Sequence, residues 1–266
     1  MIANARMYSV NPAAAALWRT LLAWVLERAG LDAEVIDHAA PAPMAALWSR
    51  DDLCCALMCG LPYSLRTPVP QLVAAPIPSP ARYGGRPVYM TDLAVRADSP
   101  WQQIAESFGG IVGYTVTDSQ SGYFALRRFL APYHEQAARP LYRAVVGNLL
   151  NARGVIDALV AGRIDVGPLD SYSFDLLRRF EPALAAQVRI IASTAPTAIP
   201  AFVATATLDP AALSRLSHAF VSAGTASGLQ AVRDALLLRG FAVPEAVAYT
   251  PLRTSHDALL RAPELW

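Results

Sequence analysis

The chain is 266 residues long, 54% hydrophobic and only 16% charged, with a formal net charge of +1. Such a composition packs into one large domain or two small lobes and excludes a disordered chain; the near-zero charge removes the electrostatic case for a nucleic-acid or membrane-surface partner. All 22 basic residues are arginines, which excludes every chemistry that needs a lysine amine, from Schiff bases to the P-loop lysine.

In chain order, Met1 to Val10 reads directly into a strand, with no basic region followed by an apolar one. Asn11-Pro12 is a helix start, Asn as cap and Pro at the first helical position. Leu17, Trp18, Leu21, Leu22, Val25 and Leu26 recur at helical spacing until Gly30. A short strand is expected at Glu34–Ile36, a strand buried on both faces over 52–59, and another near Leu72–Ile77. After a proline-rich passage come an extended segment at Val88–Ala97 and a strand at Ile111–Val116, then a helix from Ser121 to about Leu130. Next are a strand at Tyr142–Val146, a helix from Asn151 to Ala161, a strand at Ile164–Leu169 and a helix at Tyr172–Arg179. Val188–Ser193 and Phe202–Ala206 are extended; Asp209-Pro210 opens a helix to about Val221, and Leu229–Leu238 and His256–Arg261 are helical. No internal repeat or low-complexity tract interrupts the chain.

Strands alternating with helices indicate an α/β fold of mainly parallel sheets flanked by helices. The alternation restarts after residue 97 and again after 190, which predicts two lobes. Residues 1–92 plus 195–266 form the first, residues 93–194 are inserted as the second, and the extended crossing segments serve as a hinge. No apolar stretch approaches the roughly 20 residues of a membrane span, so no membrane insertion is expected.

Three patterns carry chemistry. The turn Thr117-Asp118-Ser119-Gln120-Ser121-Gly122-Tyr123 lies between a strand and a helix, where N–H groups and small hydroxyls form an anion site without a cationic side chain. Ser119 and Ser121 would donate, Gln120 would add an amide, and Gly122 would let the ligand approach the backbone; an ordinary Ser cap explains the same residues without a ligand. Asp170 ends a strand at the edge where α/β sheets bind ligands, and equally caps the next helix. Tyr8, Tyr63 and Tyr89, the last close to Thr91, sit at strand ends or crossovers and offer apolar walls with polar tips. A serine nucleophile lacks its elbow, because Thr117 and Asp118 precede Ser119, and the four histidines lie in unrelated segments. Cys54, Cys55 and Cys59 have no metal-site spacing and read as buried thiols. No catalytic residue, metal or cofactor is expected.

Met7-Tyr8, Cys59-Gly60-Leu61-Pro62-Tyr63, Asp118-Ser119-Gln120-Ser121-Gly122 and Gly162-Arg163-Ile164-Asp165 leading to Leu169-Asp170-Ser171 together resemble the phosphate, phosphite and phosphonate substrate-binding proteins of ABC transporters. These belong to the type 2 periplasmic-binding-protein fold. The resemblance implies a solute-binding protein, not an enzyme, that captures a small oxyanion in a cleft between hinged lobes. Ser119, Gln120, Ser121 and Gly122 would hold the anion. Tyr8, Tyr63, Tyr89 and Thr91 would line the wall and hinge, and Asp170 would meet the ligand's other end. The family often has threonine where this chain has Gln120, and histidine where it has Asn151-Ala152-Arg153, which makes Asn151 a candidate contact and Arg153 either a cationic contact or a solvated charge. The implied partners are the small anionic ligand and, for an exported chain, the transporter permease. A monomer is expected, in the periplasm if a signal peptide has been removed and otherwise in the cytoplasm. A cytosolic biosynthetic enzyme of the same fold and a cytoplasmic ligand sensor are the alternatives.

Overall fold

Strand β1 (Ile2–Asn4) leads through a tight turn at Arg6–Tyr8 into α1 (Pro12–Ala29). The Asn11 carboxamide accepts the Ala14 N–H at 2.8 Å, and Gly30 takes φ 62° to close the helix. Trp18, Leu21, Leu22, Val25 and Leu26 form the buried face of α1. The chain continues through β2 (Glu34–Val35), α2 (Met44–Trp48), β3 (Leu53–Met58), α3 (Gly60–Leu65) and β4 (Gln71–Pro78). Every residue of β3 is buried, including Cys54 and Cys55; these and Cys59 are free thiols.

Beyond β5 (Val88–Tyr89), the next run is β6 (Thr91–Arg96), β7 (Ile111–Gly113), α4 (Ala125–Ala137), β8 (Ala144–Val146), α5 (Ala152–Val160), β9 (Gly167–Asp170), α6 (Ser171–Phe180), α7 (Pro182–Ala185) and β10 (Val188–Ser193). After β11 (Thr197–Ala198) follow β12 (Ala201–Ala204), α8 (Pro210–Ala223), α9 (Gln230–Ala235), β13 (Leu238–Ala242) and α10 (Thr250–Arg261). This computed structural model describes residues 1–261.

The elements gather into two α/β units. One comprises Met1–Val88 and Ala198–Thr250, the other Tyr89–Thr197 and the C-terminal segment from Pro251. The first unit is built on a six-stranded sheet of order β13-β4-β12-β3-β1-β2. Its core includes Trp18 and a cluster of Phe202, Phe220 and Phe241, with Phe202 and Phe220 stacked at 4.6 Å. The second unit contains the three-stranded sheet β10-β6-β9 and the pair β7-β8. Leu93, Val95, Ile104, Val112, Leu126, Leu130, Leu141, Tyr142 and Val166 form its core.

The α/β architecture holds, but the sheets are mixed and not mainly parallel. β1 pairs parallel with β2 and β3, whereas β12 runs antiparallel to β3 and β4, and β13 antiparallel to β4. β6 runs antiparallel to both β9 and β10. The chain enters and leaves each unit through strands that join an existing sheet, and burial alone does not set their direction. Two boundaries also differ from expectation. The helix expected over Leu229–Leu238 ends early, because Leu237 turns to φ 53° and Leu238 starts β13. The helix expected to stop near Leu130 runs through Pro132 to Ala137, carried by the buried Leu126 and Leu130.

Candidate ligand-binding site

In the second unit, strand direction brings several candidate residues to one edge. β7 and β8 are parallel, and Val112 bridges Val166 in parallel just before β9. Each of these strands delivers the chain to a helix start at its C-terminal end. This is the edge at which open α/β sheets take ligands, and it collects the positive ends of helix dipoles. The antiparallel β6 begins there, with Thr91 opposite Asp170.

After β7, the Ser119 hydroxyl accepts the Gly122 N–H at 3.0 Å and caps a wide π-type turn, Gln120–Phe124, that continues directly into α4. The Thr91 hydroxyl donates to the Ser121 carbonyl at 3.1 Å. The Thr115 N–H donates to the Gly122 carbonyl at 3.2 Å, while the Thr115 carbonyl accepts the Leu150 N–H at 3.3 Å. These bonds tie the turn to β6 on one side and to the loop before α5 on the other. Asn151 caps α5 by accepting the Gly154 N–H at 3.0 Å, and Asp170 caps α6 by accepting the Ser173 N–H at 2.9 Å. Ser119, Asn151 and Asp170 therefore all have capping duties, which the sequence pattern offered as their plainer role.

Gln120 and Ser121 differ. They are 7% and 6% exposed, yet neither side chain makes a hydrogen bond among the described residues. Their polar atoms are not sealed from solvent, so the amide and the hydroxyl are available to bond water or a ligand. Both stand at a helix start whose first N–H groups lack intrahelical acceptors by construction. Ser119 keeps its own O–H proton for donation, since its oxygen is the atom that accepts from Gly122. The turn is thus a cradle of neutral donors suited to an oxyanion. Arg153 does not face this role as an unpaired charge; it is ion-paired with Glu181.

Gly122 is needed for a nearer reason than ligand approach. A Cβ there would lie 1.8 Å from the Thr115 Oγ1 and 2.8 Å from the Thr115 Cβ. Thr115 is one residue that sequence reasoning missed, since inside a strand-like run it reads as an ordinary β-former. Thr194 and Ser171 were also missed. The Thr194 hydroxyl accepts the Thr91 N–H at 3.0 Å, and the Ser171 hydroxyl accepts the Met90 N–H at 2.9 Å. Together they fix the start of β6, next to the fully buried Tyr89.

In the first unit, Tyr8 and Tyr63 follow the C-terminal ends of the adjacent parallel strands β1 and β3, and so share a sheet edge. Tyr8 is fully buried in the turn after β1, and its carbonyl accepts the Trp18 indole N–H at 3.1 Å. Tyr63 lies in α3 and packs edge-on against Tyr249 at 5.1 Å; burial raises its phenol pKa. Tyr249 in turn donates to the Ile199 carbonyl at 3.0 Å.

A family model described as the periplasmic substrate-binding protein of phosphonate ABC transporters matches residues 9–249. The chain belongs to this phosphonate-binding family. Among curated proteins, no sequence matches it significantly. Solved structures share its fold at low identity. A binding protein component of an ABC phosphonate transporter from Pseudomonas aeruginosa superposes with a TM-score of 0.79 at 14% identity, over 98% of this chain and 86% of that one. The PhnD1 protein of Prochlorococcus marinus, solved with methylphosphonate, gives 0.76 at 15% identity over 98% of both chains. A Xanthomonas citri protein solved with ATP gives 0.65 at 17% identity, over 98% of this chain and 97% of that one. A member of the phosphonate-binding family is a solute-binding component of a transporter, not an enzyme, and its partners are a small ligand and a permease. No described helix is long and apolar enough to cross a membrane.

Proposed function

We propose that this protein captures a small phosphorus oxyanion, a phosphonate, phosphite or phosphate, on the Ser119–Gly122 turn and presents it to a periplasm-facing ABC permease. The observation that carries this reading is that the Gln120 and Ser121 side chains stand at a helix start with no hydrogen bond among the described residues and with polar atoms open to a ligand. The Ser119 and Ser121 hydroxyls, the Gln120 amide and the backbone N–H groups donate to the anion. Thr91 holds the turn in place through the Ser121 carbonyl. Within the second unit, Asp170 and Asn151 bound the site, and the fully buried Tyr89 backs the start of β6. Carboxylate from Asp170 favours a ligand with a donor or positive charge at the end remote from phosphorus.

A thermal-shift screen of ligand-stripped protein tests this. At a hundredfold excess over Kd, binding adds about 2.7 kcal/mol, which for a chain of this length raises Tm by several degrees, at about 2–4 °C per kcal/mol. The expected result is a rise with phosphorus oxyanions and none with small carboxylates. A rise with carboxylates alone, or none with any phosphorus oxyanion, overturns the assignment.

A further inference from the structure

Thr115 carries a hydroxyl that the fold leaves unused. The residue is 7% exposed, and its Oγ1 is sealed from solvent without a hydrogen-bond partner among the described residues. Its backbone, by contrast, is fully engaged with the Gly122 carbonyl and the Leu150 N–H. The hydroxyl also has a defined neighbour. The position a Gly122 Cβ would occupy lies 1.8 Å from Thr115 Oγ1 and 2.9 Å from Ser119 Oγ. Thr115 Oγ1 therefore occupies the space of the side chain that Gly122 lacks, and Ser119 Oγ borders the same space. A buried hydroxyl with no bond is destabilising, and valine has nearly the same shape without that cost.

We infer that Thr115 is a positioning residue for the oxyanion site, acting through Ser119. When Ser119 gives its proton to a ligand oxygen, its Oγ keeps a lone pair beyond the one that accepts from Gly122. A small movement of the turn then lets the Thr115 O–H donate to that lone pair. The result is a chain of donors, Thr115 to Ser119 to ligand, in which each bond polarises the next. Gly122 is the residue whose missing side chain lets the Thr115 hydroxyl sit beside Ser119. Within the fold the first donor has no partner, and ligand binding at Ser119 completes it.

This inference rests on the oxyanion reading of the turn, so the experiment separates the two. Methylphosphonate and phosphate binding are measured by calorimetry for the wild type, Thr115→Val, Thr115→Ser, Ser119→Ala, Ser121→Ala and the double variant Thr115→Val/Ser119→Ala. Thr115→Val is expected to bind roughly tenfold more weakly, as for one hydrogen bond in a charge-assisted chain, while melting without ligand at or above the wild-type temperature. Thr115→Ser keeps the hydroxyl and stays within about threefold of the wild type. In the Ser119→Ala background the valine costs nothing further, because its route to the ligand is gone. Wild-type affinity in Thr115→Val with weakened Ser121→Ala overturns the inference and leaves the cradle standing. So does an equal loss from the valine with and without Ser119, or a ligand-free Thr115→Val that melts several degrees low. A wild type that binds neither probe overturns the oxyanion reading, and this inference with it.

Discussion

Gly122 shows how much a single residue position carries. Its missing side chain is the space filled by the Thr115 side chain, whose Oγ1 and Cβ lie 1.8 Å and 2.8 Å from where a Cβ would be. Thr115 cannot yield easily, because its N–H and carbonyl are both bonded to the loops it joins. Gly122→Ala therefore overpacks a filled site, at a cost of about 1–3 kcal/mol. By calorimetry, the variant should melt below the wild type by about 2–4 °C for each kcal/mol. An unchanged Tm would show that the turn relaxes freely and that the glycine is not held there by packing. Substituting Ser121 separates stability from binding in the opposite sense. Its hydroxyl has no partner among the described residues, so Ser121→Ala should leave the melting temperature unchanged and, on the proposed oxyanion reading, lower affinity alone.

At the scale of elements, side-chain caps decide where the helices of the second unit begin. Asn151 is solvent-exposed and holds the Gly154 N–H at the start of α5, and Gly154 is itself fixed because a Cβ there would meet the Leu149 carbonyl at 2.0 Å. Asn151→Ala should cost about 0.5–2 kcal/mol, and Asn151→Ser, which can cap, should recover most of it. Urea unfolding of the three proteins checks this; an alanine variant as stable as the wild type would remove the cap from the account. Such caps are also what made the elements legible in sequence. Asn11-Pro12, Asn151 and Asp209-Pro210 each marked a helix that starts within a residue of expectation, because capping chemistry is local. The fully apolar run Leu53–Met58 was legible as a buried strand for the same reason. Strand direction was not, since a buried strand has the same composition whichever way it runs. Nor was the packing of Thr115, which depends on Gly122 seven residues later and leaves its hydroxyl without a partner among the described residues. The turn proposed as the site was half legible. Ser119 to Gly122 stood out as a helix start, but only the structure separates the capping Ser119 from the unpartnered Gln120 and Ser121.

For the molecule as a whole, the absence of lysine makes its response to alkali unusually simple to read. Each unit buries a tyrosine whose ionisation the fold resists. Burial pushes the Tyr142 phenol in the second unit up to about 12, partly offset by its 3.0 Å hydrogen bond with Ser107. In the first unit, burial pushes Tyr249 up further, with a smaller contribution from Tyr63. Its hydroxyl proton is the one donated to the Ile199 carbonyl. The Cys55 thiol is also raised, by its hydrogen bond with Cys54 and by burial. A phenol with a raised folded-state pKa holds its proton after the unfolded chain has lost it. The native state then binds more protons than the unfolded one, and stability falls as pH rises. The tyrosine contribution is whole below about pH 10, the usual phenol value, and for Tyr142 is lost between there and about 12. Each tyrosine should add up to about 1.4 kcal/mol per pH unit to the slope in that window. Chains rich in lysine blur this range, because lysines titrate in it as well. Unfolding free energy measured by urea from pH 8 to 12 should be flat and then decline. Tyr142→Phe and Tyr249→Phe should each flatten the decline, although Tyr249→Phe starts lower because it strands the Ile199 carbonyl. If both variants keep the wild-type slope above pH 10, buried phenols are not what limits this protein in alkali. The decline would then have to be sought in the remaining raised groups of the first unit, the Cys55 thiol and the Tyr63 phenol.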